Sequence, residues 1–207
     1  MQTEWLKRMQ KATLFMVFGV LSLGSIALMT AQDQGKAYSE LDPQLQPLKD
    51  QFNADVGKVR LLLILDPTCP PCRRGASIIQ ENVMERITTD KLAVYVVWVP
   101  LLNFQDAARL QKNARQYANL LPSGRHVSHY IDPGAYIGKK YGSVLGVPYG
   151  APAWDVYLAF RADERWTDTP PTPSYWEHQL GTMPSEKFLD GPRLAEEVRK
   201  LLAKMNQ

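Results

Sequence analysis

The sequence predicts an α/β fold in which strands alternate with helices around one sheet. Two apolar runs, 59–65 (interrupted only by Arg60) and 92–99, have the length and hydrophobicity of strands covered on both faces. Other segments repeat apolar residues at spacings of three and four, as on the buried face of a helix. The alternation of the two patterns along the chain favours an α/β sandwich.

The remaining elements follow in chain order. Asp42 and Pro43 form a helix-capping pair, so we expect a helix to start there unless Pro47 delays it. The stretch after residue 72 has one apolar face, and residues 104–120 are helical in composition. Further along we expect a strand at 126–131, a helix after Asp132 and Pro133, a strand at 154–160, a strand at 165–166 or 175–180, and a helix from about Pro192.

The first 31 residues have the layout of a membrane-targeting segment. Lys7, Arg8 and Lys11 precede an uncharged stretch at residues 12–31, which is long enough to span about 30 Å of hydrocarbon as an uncleaved anchor. A cleaved signal peptide is the alternative, because Ser25 and Ala27 fit the small-residue pattern of a cleavage site. Either interpretation predicts an extracytoplasmic domain on the periplasmic side, membrane-anchored or secreted.

The residues after this leader are expected to form one domain. We predict a polar tether at 32–41 and a single domain at 42–207, a length that supports an ordinary hydrophobic core. Once the leader's charges are set aside, which are Glu4, Lys7, Arg8 and Lys11, 21 basic and 20 acidic residues remain. This balance indicates no nucleic-acid partner.

The only two cysteines carry the strongest functional signal. Cys69 and Cys72 enclose Pro70 and Pro71, after an apolar strand and directly before a helix. Cys69 then occupies the helix cap, Pro70 the first helical position, and the positive end of the helix stabilises a thiolate. We expect Cys69 to be the exposed nucleophile and Cys72 the shielded resolving thiol. Arg73 adds cationic charge nearby, although such charge is also ordinary on a solvated helix surface.

This pair predicts thiol–disulfide exchange with protein partners. The Cys69 thiolate attacks a partner disulfide, and Cys72 then breaks the resulting mixed disulfide. The chemistry needs no cofactor beyond the redox-active Cys69–Cys72 disulfide and no resident metal. The electron donor or acceptor is an unknown partner.

Other interpretations of the cysteines stay open. A purely structural disulfide closes too small a loop to add much stability. Haem attachment requires histidine after the second cysteine, where Arg73 stands. A redox-inert metal-binding or partner-docking module is the main alternative. A zinc or copper site could recruit His126 and His129, and soft thiolates suit Cu(I) in particular. The gap between the cysteines and the histidines is far longer than in a compact zinc finger, however, and on a strand the two histidines would point to opposite faces.

The order of elements, together with the cysteine motif, resembles the thioredoxin superfamily over about residues 55–205. It is similar in particular to the extracytoplasmic, TlpA-type thioredoxin-like thiol–disulfide oxidoreductases. The resemblance implies a three-layer α/β/α sandwich with a central mixed sheet, and it implies an inserted helix and strand, here residues 103–132.

The same resemblance implies a substrate-binding loop that contains a cis-proline facing the cysteines. We assign Pro152, because a strand is expected to follow it at once, and keep Pro148 as the second choice. Ala151 and Tyr149 belong to this loop, and Tyr149 is a hypothetical substrate contact by position alone.

The direction of exchange is inferred from the residues between the cysteines. They include no histidine, which could stabilise the thiolate and raise oxidising strength in some relatives, and Pro71 is similar to the proline of reducing thioredoxins, so we expect a reductase. The chain departs from the family at Thr68, where many thioredoxins have tryptophan. No clear match is found for the buried carboxylate that assists resolution, and for Asp66 a loop-capping role is at least as good an interpretation.

Overall fold

The computed structural model describes residues 38–103, 105–122, 124 and 126–206. Within them, six strands and five α-helices alternate as the sequence predicts. The strands are β1 (Ser39–Glu40), β2 (Val59–Leu65), β3 (Leu92–Trp98), β4 (Val127–Ile131), β5 (Val156–Phe160) and β6 (Tyr175–His178). The helices are α1 (Gln46–Ala54), α2 (Pro70–Ile79), α3 (Ala107–Gln116), α4 (Tyr136–Leu145) and α5 (Gly191–Ala203).

The strands form one mixed sheet in the order β1-β4-β3-β2-β5-β6. The first four strands in this order, β1, β4, β3 and β2, run parallel to one another. Strand β5 is antiparallel to β2, and β6 is antiparallel to β5. All residues of β2 and β3 are buried, which explains their continuous apolar sequence. The mixed sheet of the predicted fold class is therefore confirmed.

Helices cover both faces of this sheet. Alternate residues of β2 divide between two hydrophobic clusters, with Leu61 and Leu63 in one and Leu62 and Ile64 in the other. The first cluster includes buried residues of α2, α3 and α5, and the second includes residues of α1 and α4. The described domain thus has three layers, with a mixed sheet between two layers of helices.

The segment before α1 differs from the expected tether. Ser39 and Glu40 pair in parallel with β4, and Leu41 is buried. Residues 38–41 therefore pack on the sheet instead of leading freely to it. The proposed anchor at 12–31 lies outside the described residues. In the part of the chain that is described, no helix combines the length and hydrophobicity needed to cross a membrane.

Two helices begin later than their capping pairs predict. Helix α1 starts at Gln46 instead of Pro43, because Leu45 adopts a left-handed conformation (φ 60°) and is fully buried. Helix α4 starts at Tyr136, after Ala135 makes the same turn (φ 51°). The aspartates still act as caps across the extra turn, since Asp42 Oδ1 accepts from Gln46 N at 3.0 Å and Asp132 Oδ2 accepts from Ile137 N at 2.8 Å.

Strand β5 also begins later than expected. The predicted strand at 154–160 starts at Val156, because Asp155 is in the left-handed region (φ 52°) and cannot continue an extended strand. Its backbone is held on both sides, with Asp155 N donating to Ile64 O at 2.7 Å and Asp155 O accepting from Gln179 N at 2.9 Å. Asp155 thus lies outside the strand, and its backbone is fixed by bonds to β2 and to the residue after β6.

Candidate redox site

The two cysteines lie at the junction between β2 and α2, as the sequence predicts. Cys69 is the N-cap residue of α2 in an extended conformation, and its Sγ accepts a hydrogen bond from Cys72 N at 3.3 Å. Pro70 follows at the start of the helix, where no backbone donor is needed. The helix cap is thus a sulfur atom, which places Cys69 at the positive helix end.

Both cysteines are free thiols, and both are buried. The side chain of Cys69 is 2% exposed and that of Cys72 is fully buried. The expectation that Cys69 would be exposed is therefore wrong. At the start of α2, the neighbouring Pro70 is exposed and Pro71 is half-buried.

The two thiols have opposite pKa shifts. A hydrogen bond from the Cys72 thiol, aided by the Cys72 backbone N–H, lowers the pKa of Cys69 despite partial desolvation. Burial raises the pKa of Cys72 far above its usual value, and its hydrogen bond to Cys69 adds to this shift. Cys69 is therefore the thiol that more readily becomes a thiolate, which supports the predicted order of nucleophile and resolving thiol.

Asp155 is the site residue that sequence reasoning missed. Its carboxylate and the two sulfur atoms all lie within 4.8 Å of one another, and its side chain is 2% exposed. Burial raises its pKa to about 6, although hydrogen bonds from Tyr157 and Cys72 act in the opposite direction. The site thus contains a buried carboxyl group that changes charge near neutral pH, next to the thiol that must lose a proton.

Tyr157 and Gln179 hold the Asp155 carboxylate in place. Tyr157 Oη donates to Asp155 Oδ1 at 2.7 Å. With its amide oriented to satisfy its neighbours, Gln179 Nε2 lies 3.1 Å from Asp155 Oδ1, 3.1 Å from Tyr157 Oη and 2.9 Å from Pro71 O. Gln179 therefore links the end of β6 to both the carboxylate and the first turn of α2.

A signal for Asp155 was present in the sequence. It is an acidic residue within the apolar stretch at 153–160, directly after the proposed substrate loop. In that stretch Val156 and Leu158 are fully buried and Trp154 is half-buried. Tyr157 and Ala159 lie on the sheet face that packs against the cysteines, and Asp155 is two residues before Tyr157.

Asp66 stabilises the loops around the site, as expected for a capping residue. Its Oδ1 accepts from Thr68 N and Thr68 Oγ1, both at 2.7 Å. Its Oδ2 accepts from Leu101 N at 2.7 Å and Leu102 N at 2.8 Å. Both carboxylate oxygens are occupied by these bonds, so Asp66 connects the turn after β2 to the loop after β3.

Arg73 contacts an aromatic side chain. Its guanidinium lies 4.6 Å from the centre of the Tyr117 ring, and Nη1 donates to Tyr117 Oη and to Pro67 O, each at 3.3 Å. These contacts connect the first turn of α2 to the end of α3, so Arg73 is not a freely solvated charge.

The proline loop differs from the expectation in its peptide geometry. In the described part of the chain every peptide bond is trans, so the assignment of a cis-proline to Pro152, or to Pro148 as second choice, is wrong. A strand does not follow Pro152 at once either, because Asp155 interrupts the extended backbone. Tyr149 is fully exposed with φ 61°, Ala151 is exposed, and Pro152 is half-buried.

Two glycines of α4 allow this loop to pack closely. A Cβ on Gly142 would collide with Ala151 O, and one on Gly138 would lie 2.8 Å from Ala153 O. Ala153 N also donates to Gly138 O at 2.8 Å. Residues 151–153 are therefore fixed against α4, directly before Asp155.

The described histidines do not form a metal-binding group with the cysteines. His129 is buried between neighbours, with Trp98 Nε1 donating to its Nδ1 at 3.1 Å and its Nε2 bonded to Leu121 O at 2.8 Å. His178 is packed through Leu180 N and Pro184 O. Within the described ranges, the one group of side chains arranged to hold a metal ion contains Cys69, Cys72 and Asp155 and no histidine. The suggested ligand set with His126 and His129 is wrong.

A Gly75→Ala substitution should disturb this site. A Cβ on Gly75, on the cysteine helix, would collide with Tyr157 Oη and lie 2.7 Å from the side-chain amide of Gln179. We expect a loss of about 1 to 3 kcal/mol in unfolding free energy from overpacking, despite the better helix propensity of alanine. Denaturant unfolding measures it. Gly181→Ala, with open space around it, is the control and should change stability by less than about 0.5 kcal/mol; equal effects at both positions would contradict the packing described.

No protein-family model matches this chain, and no curated protein matches its sequence. Solved structures do match. They include a secreted disulfide oxidoreductase of Mycobacterium tuberculosis homologous to E. coli DsbE (16% identity, TM-score 0.42, covering 71% of this chain and 84% of that one). DsbF of M. tuberculosis also matches, with 14% identity and a TM-score of 0.41, over 72% of this chain and 84% of that one. A thioredoxin-like protein in its oxidised form matches with 14% identity and a TM-score of 0.41, over 71% of this chain and 79% of that one. The chain is thus similar to thioredoxin-fold disulfide oxidoreductases, at identities that leave its function to be argued from its own site.

Proposed function

We propose that this domain exchanges thiols and disulfides with protein partners through Cys69 and Cys72, and that it acts as a reductase outside the cytoplasm. The observation that carries the proposal is the pair of free thiols at the start of α2, one with a lowered and one with a raised pKa. A nucleophile and a resolving thiol need this asymmetry, because only the thiolate attacks a disulfide.

The first step uses the Cys69 thiolate. Its sulfur attacks one sulfur of a partner disulfide, a new S–S bond joins Cys69 to the partner, and the other partner sulfur leaves as a thiolate that takes a proton from solvent. Because Cys69 is only 2% exposed, we infer that the partner disulfide approaches over the start of α2, where Pro70 is exposed.

The second step releases the partner. Cys72 Sγ attacks Cys69 Sγ, which forms the Cys69–Cys72 disulfide and expels the second partner thiolate. Burial opposes a free Cys72 thiolate, so the proton needs an acceptor close by. We assign this role to Asp155, whose carboxylate lies within 4.8 Å of both sulfur atoms. Two electrons pass from the dithiol to the partner, and an unidentified dithiol donor must restore the reduced pair.

The reducing direction is supported by the charges around the pair. A strongly oxidising pair needs a reduced form that is stabilised as a thiolate. Here the hydrogen bonds from Cys72 lower the pKa of Cys69, but burial and the negative charges of Asp155 and Asp66 act against them and limit the stabilisation of the thiolate. Arg73 is engaged with Tyr117 and Pro67.

The loop at residues 149–152 is proposed to bind the partner's backbone. Tyr149 and Ala151 are exposed, and Pro152 packs on α4 through Gly138 and Gly142, three residues before Asp155. A rigid loop with exposed side chains, ending next to the catalytic carboxylate, suits an extended polypeptide that carries a disulfide. Export or anchoring is proposed from the basic residues before the uncharged stretch at 12–31.

Insulin reduction tests the function directly. The reduced protein should precipitate insulin by cleaving its interchain disulfides, and Cys69→Ser should abolish this. Equilibration of the pair against glutathione then determines the direction, and a reduction potential well below that of the glutathione pool is the expected result. A reduced wild-type protein that leaves insulin intact, or one in which Cys69→Ser retains activity, would show that the proposal is wrong.

A further inference from the structure

We propose that the reduced site binds one Zn²⁺ ion through Cys69 Sγ, Cys72 Sγ and the Asp155 carboxylate. Within the described residues, these three side chains form the one cluster of potential ligands whose donor atoms all lie within 4.8 Å of one another. Each of them is at least 98% buried. The proposal does not depend on exchange activity, since it requires only the reduced pair and the carboxylate.

The donor set selects the metal. Zn²⁺ accepts both thiolate sulfur and carboxylate oxygen in a tetrahedral site, and three protein ligands leave one position for water or another small ligand. Cu(I) prefers soft sulfur donors and gains little from a carboxylate. Asp155 as the third ligand therefore favours Zn²⁺ and argues against the copper module that the cysteines alone suggest.

The distances are compatible with zinc after a small movement. Neighbouring ligands of a tetrahedral zinc ion with bonds of about 2.0 to 2.3 Å lie about 3.5 to 3.8 Å apart. The three donor atoms lie at most 4.8 Å apart, so the distances between them would have to shorten by about 1 Å at most. Rotation of the cysteine side chains can supply this change. Cys69 Sγ already accepts a hydrogen bond from Cys72 N at 3.3 Å, so both sulfur atoms lie on the same side of α2.

The neighbours of Asp155 favour a ligand role. Tyr157 Oη donates to Oδ1 at 2.7 Å, and Gln179 Nε2 lies 3.1 Å from the same oxygen. Hydrogen bonds to one carboxylate oxygen fix its orientation, as is typical around metal-bound carboxylates, and leave Oδ2 for the ion. The Cys72 thiol also donates a hydrogen bond to this carboxylate, and that bond is released when Cys72 loses its proton to bind zinc.

Zinc binding releases two protons and sets the net charge of the site. Two thiol protons leave to solvent, and the two thiolates with the carboxylate surround Zn²⁺ to give a buried group with a net charge of −1. While the ion is bound, Cys69 Sγ shares its negative charge with Zn²⁺ and is a weaker nucleophile, and Cys72 Sγ is held as a ligand, so zinc should block disulfide exchange reversibly. Oxidation of the pair should expel the ion, because a disulfide is not a zinc ligand.

Competition with a chromophoric zinc chelator tests the site in the full-length chain, kept in detergent without oxygen. We expect one Zn²⁺ per reduced chain, none after oxidation to the disulfide, and at least about tenfold weaker binding in Asp155→Asn. Protection of both thiols from alkylation by zinc is a second measurement. Asp163→Asn, which makes the same chemical change at a carboxylate whose side chain is 77% exposed, is the matched control and should bind as the wild type does.

Three results would overturn the site: no binding to the reduced chain, equal binding by the oxidised chain, or an Asp155→Asn affinity equal to that of the wild type. A titration with Cu(I) should be insensitive to Asp155→Asn, and a copper affinity that depends on Asp155 while zinc does not bind would reassign the metal and overturn the proposal. Insulin reduction measured on metal-free samples keeps the two proposals separate. Zinc binding without insulin reduction would refute only the exchange activity, and the reverse would refute only the zinc site.

Discussion

A Cys72→Ser variant should accumulate a stable mixed disulfide between Cys69 and a protein substrate. Without the Cys72 sulfur, no neighbouring thiol can attack the Cys69–partner bond, so the reaction stops after its first step. The lowered pKa of Cys69 has its largest cause in the hydrogen bond from Cys72, so the first attack should also slow. We expect essentially complete loss of turnover, with a covalent adduct visible by non-reducing electrophoresis and identified by mass spectrometry.

Cys69→Ser is the matched control for this trap. It leaves only the fully buried Cys72, whose thiol is held neutral by burial, and it should form no adduct. If Cys69→Ser trapped the partner and Cys72→Ser did not, the roles of the two cysteines would be reversed. Thermal unfolding of both variants distinguishes a missing adduct from a misfolded protein.

Asp155→Asn should make the protein more stable at pH 7 and a poorer catalyst. The pKa of Asp155 is raised by burial from its ordinary 3.8 to about 6, so the folded protein binds this proton more tightly than the unfolded chain. The resulting stabilisation is complete below about pH 3.8 and is lost as the pH rises through about 6. Above pH 6 the buried charge then costs on the order of 3 kcal/mol, which asparagine removes while it can still accept the Tyr157 hydrogen bond.

Denaturant unfolding of wild type and Asp155→Asn at pH 4 and pH 7 measures this cost. The stability difference should be small at pH 4 and reach on the order of 3 kcal/mol in favour of the variant at pH 7. Asp163→Asn, at an exposed carboxylate, is the control and should not show this pH-dependent gain. A difference that is the same at both pH values would contradict the shifted pKa.

Asp155→Asn should also affect catalysis, at the step in which Cys72 resolves the mixed disulfide. If the Asp155 carboxylate accepts the Cys72 proton, loss of a positioned general base should slow resolution by roughly 100-fold. In the wild type the rate should fall below about pH 6, as Asp155 becomes protonated, and the variant should lack this inflection. Single-turnover release of a labelled thiol from a Cys69 mixed disulfide measures it. An unchanged rate would exclude Asp155 as the acceptor.

These predictions link stability to function at one residue. A charged carboxylate in the core is unfavourable for folding, yet the nearby buried thiol must lose a proton for the partner to leave. Tyr157 and Gln179 hold this carboxylate, and the absent side chain of Gly75 gives them room. Gain of stability upon neutralising Asp155, combined with loss of rate, is the pattern expected of a group kept for chemistry.

Local patterns predicted the elements that carry the cysteines. The bounds of β2 were correct because a strand buried on both faces is apolar along its length. The position of Cys69 as the helix cap was also correct, since a cap and a following proline are set by adjacent residues. Helix α1 starts at Gln46, directly before Pro47, so the delayed start that Pro47 allowed is confirmed. Helix α4 follows the Asp132 cap as expected, but its first residue, Tyr136, is set by the turn of Ala135 into the core and not by the Asp-Pro pair itself.

The sequence by itself determined the mixed α/β architecture, the strand–helix junction that holds the two thiols, and the order in which those thiols are expected to act. Periodicity and capping act between residues a few positions apart, so they can be read along the chain. The tertiary structure alone decided the burial of Cys69, the trans peptide at Pro152 and the place of Asp155. Antiparallel pairing of β5 with β2 brings that carboxylate to the sulfur atoms from a distant part of the chain, and although an acidic residue in an apolar stretch is visible in the sequence, its partner across the sheet is not.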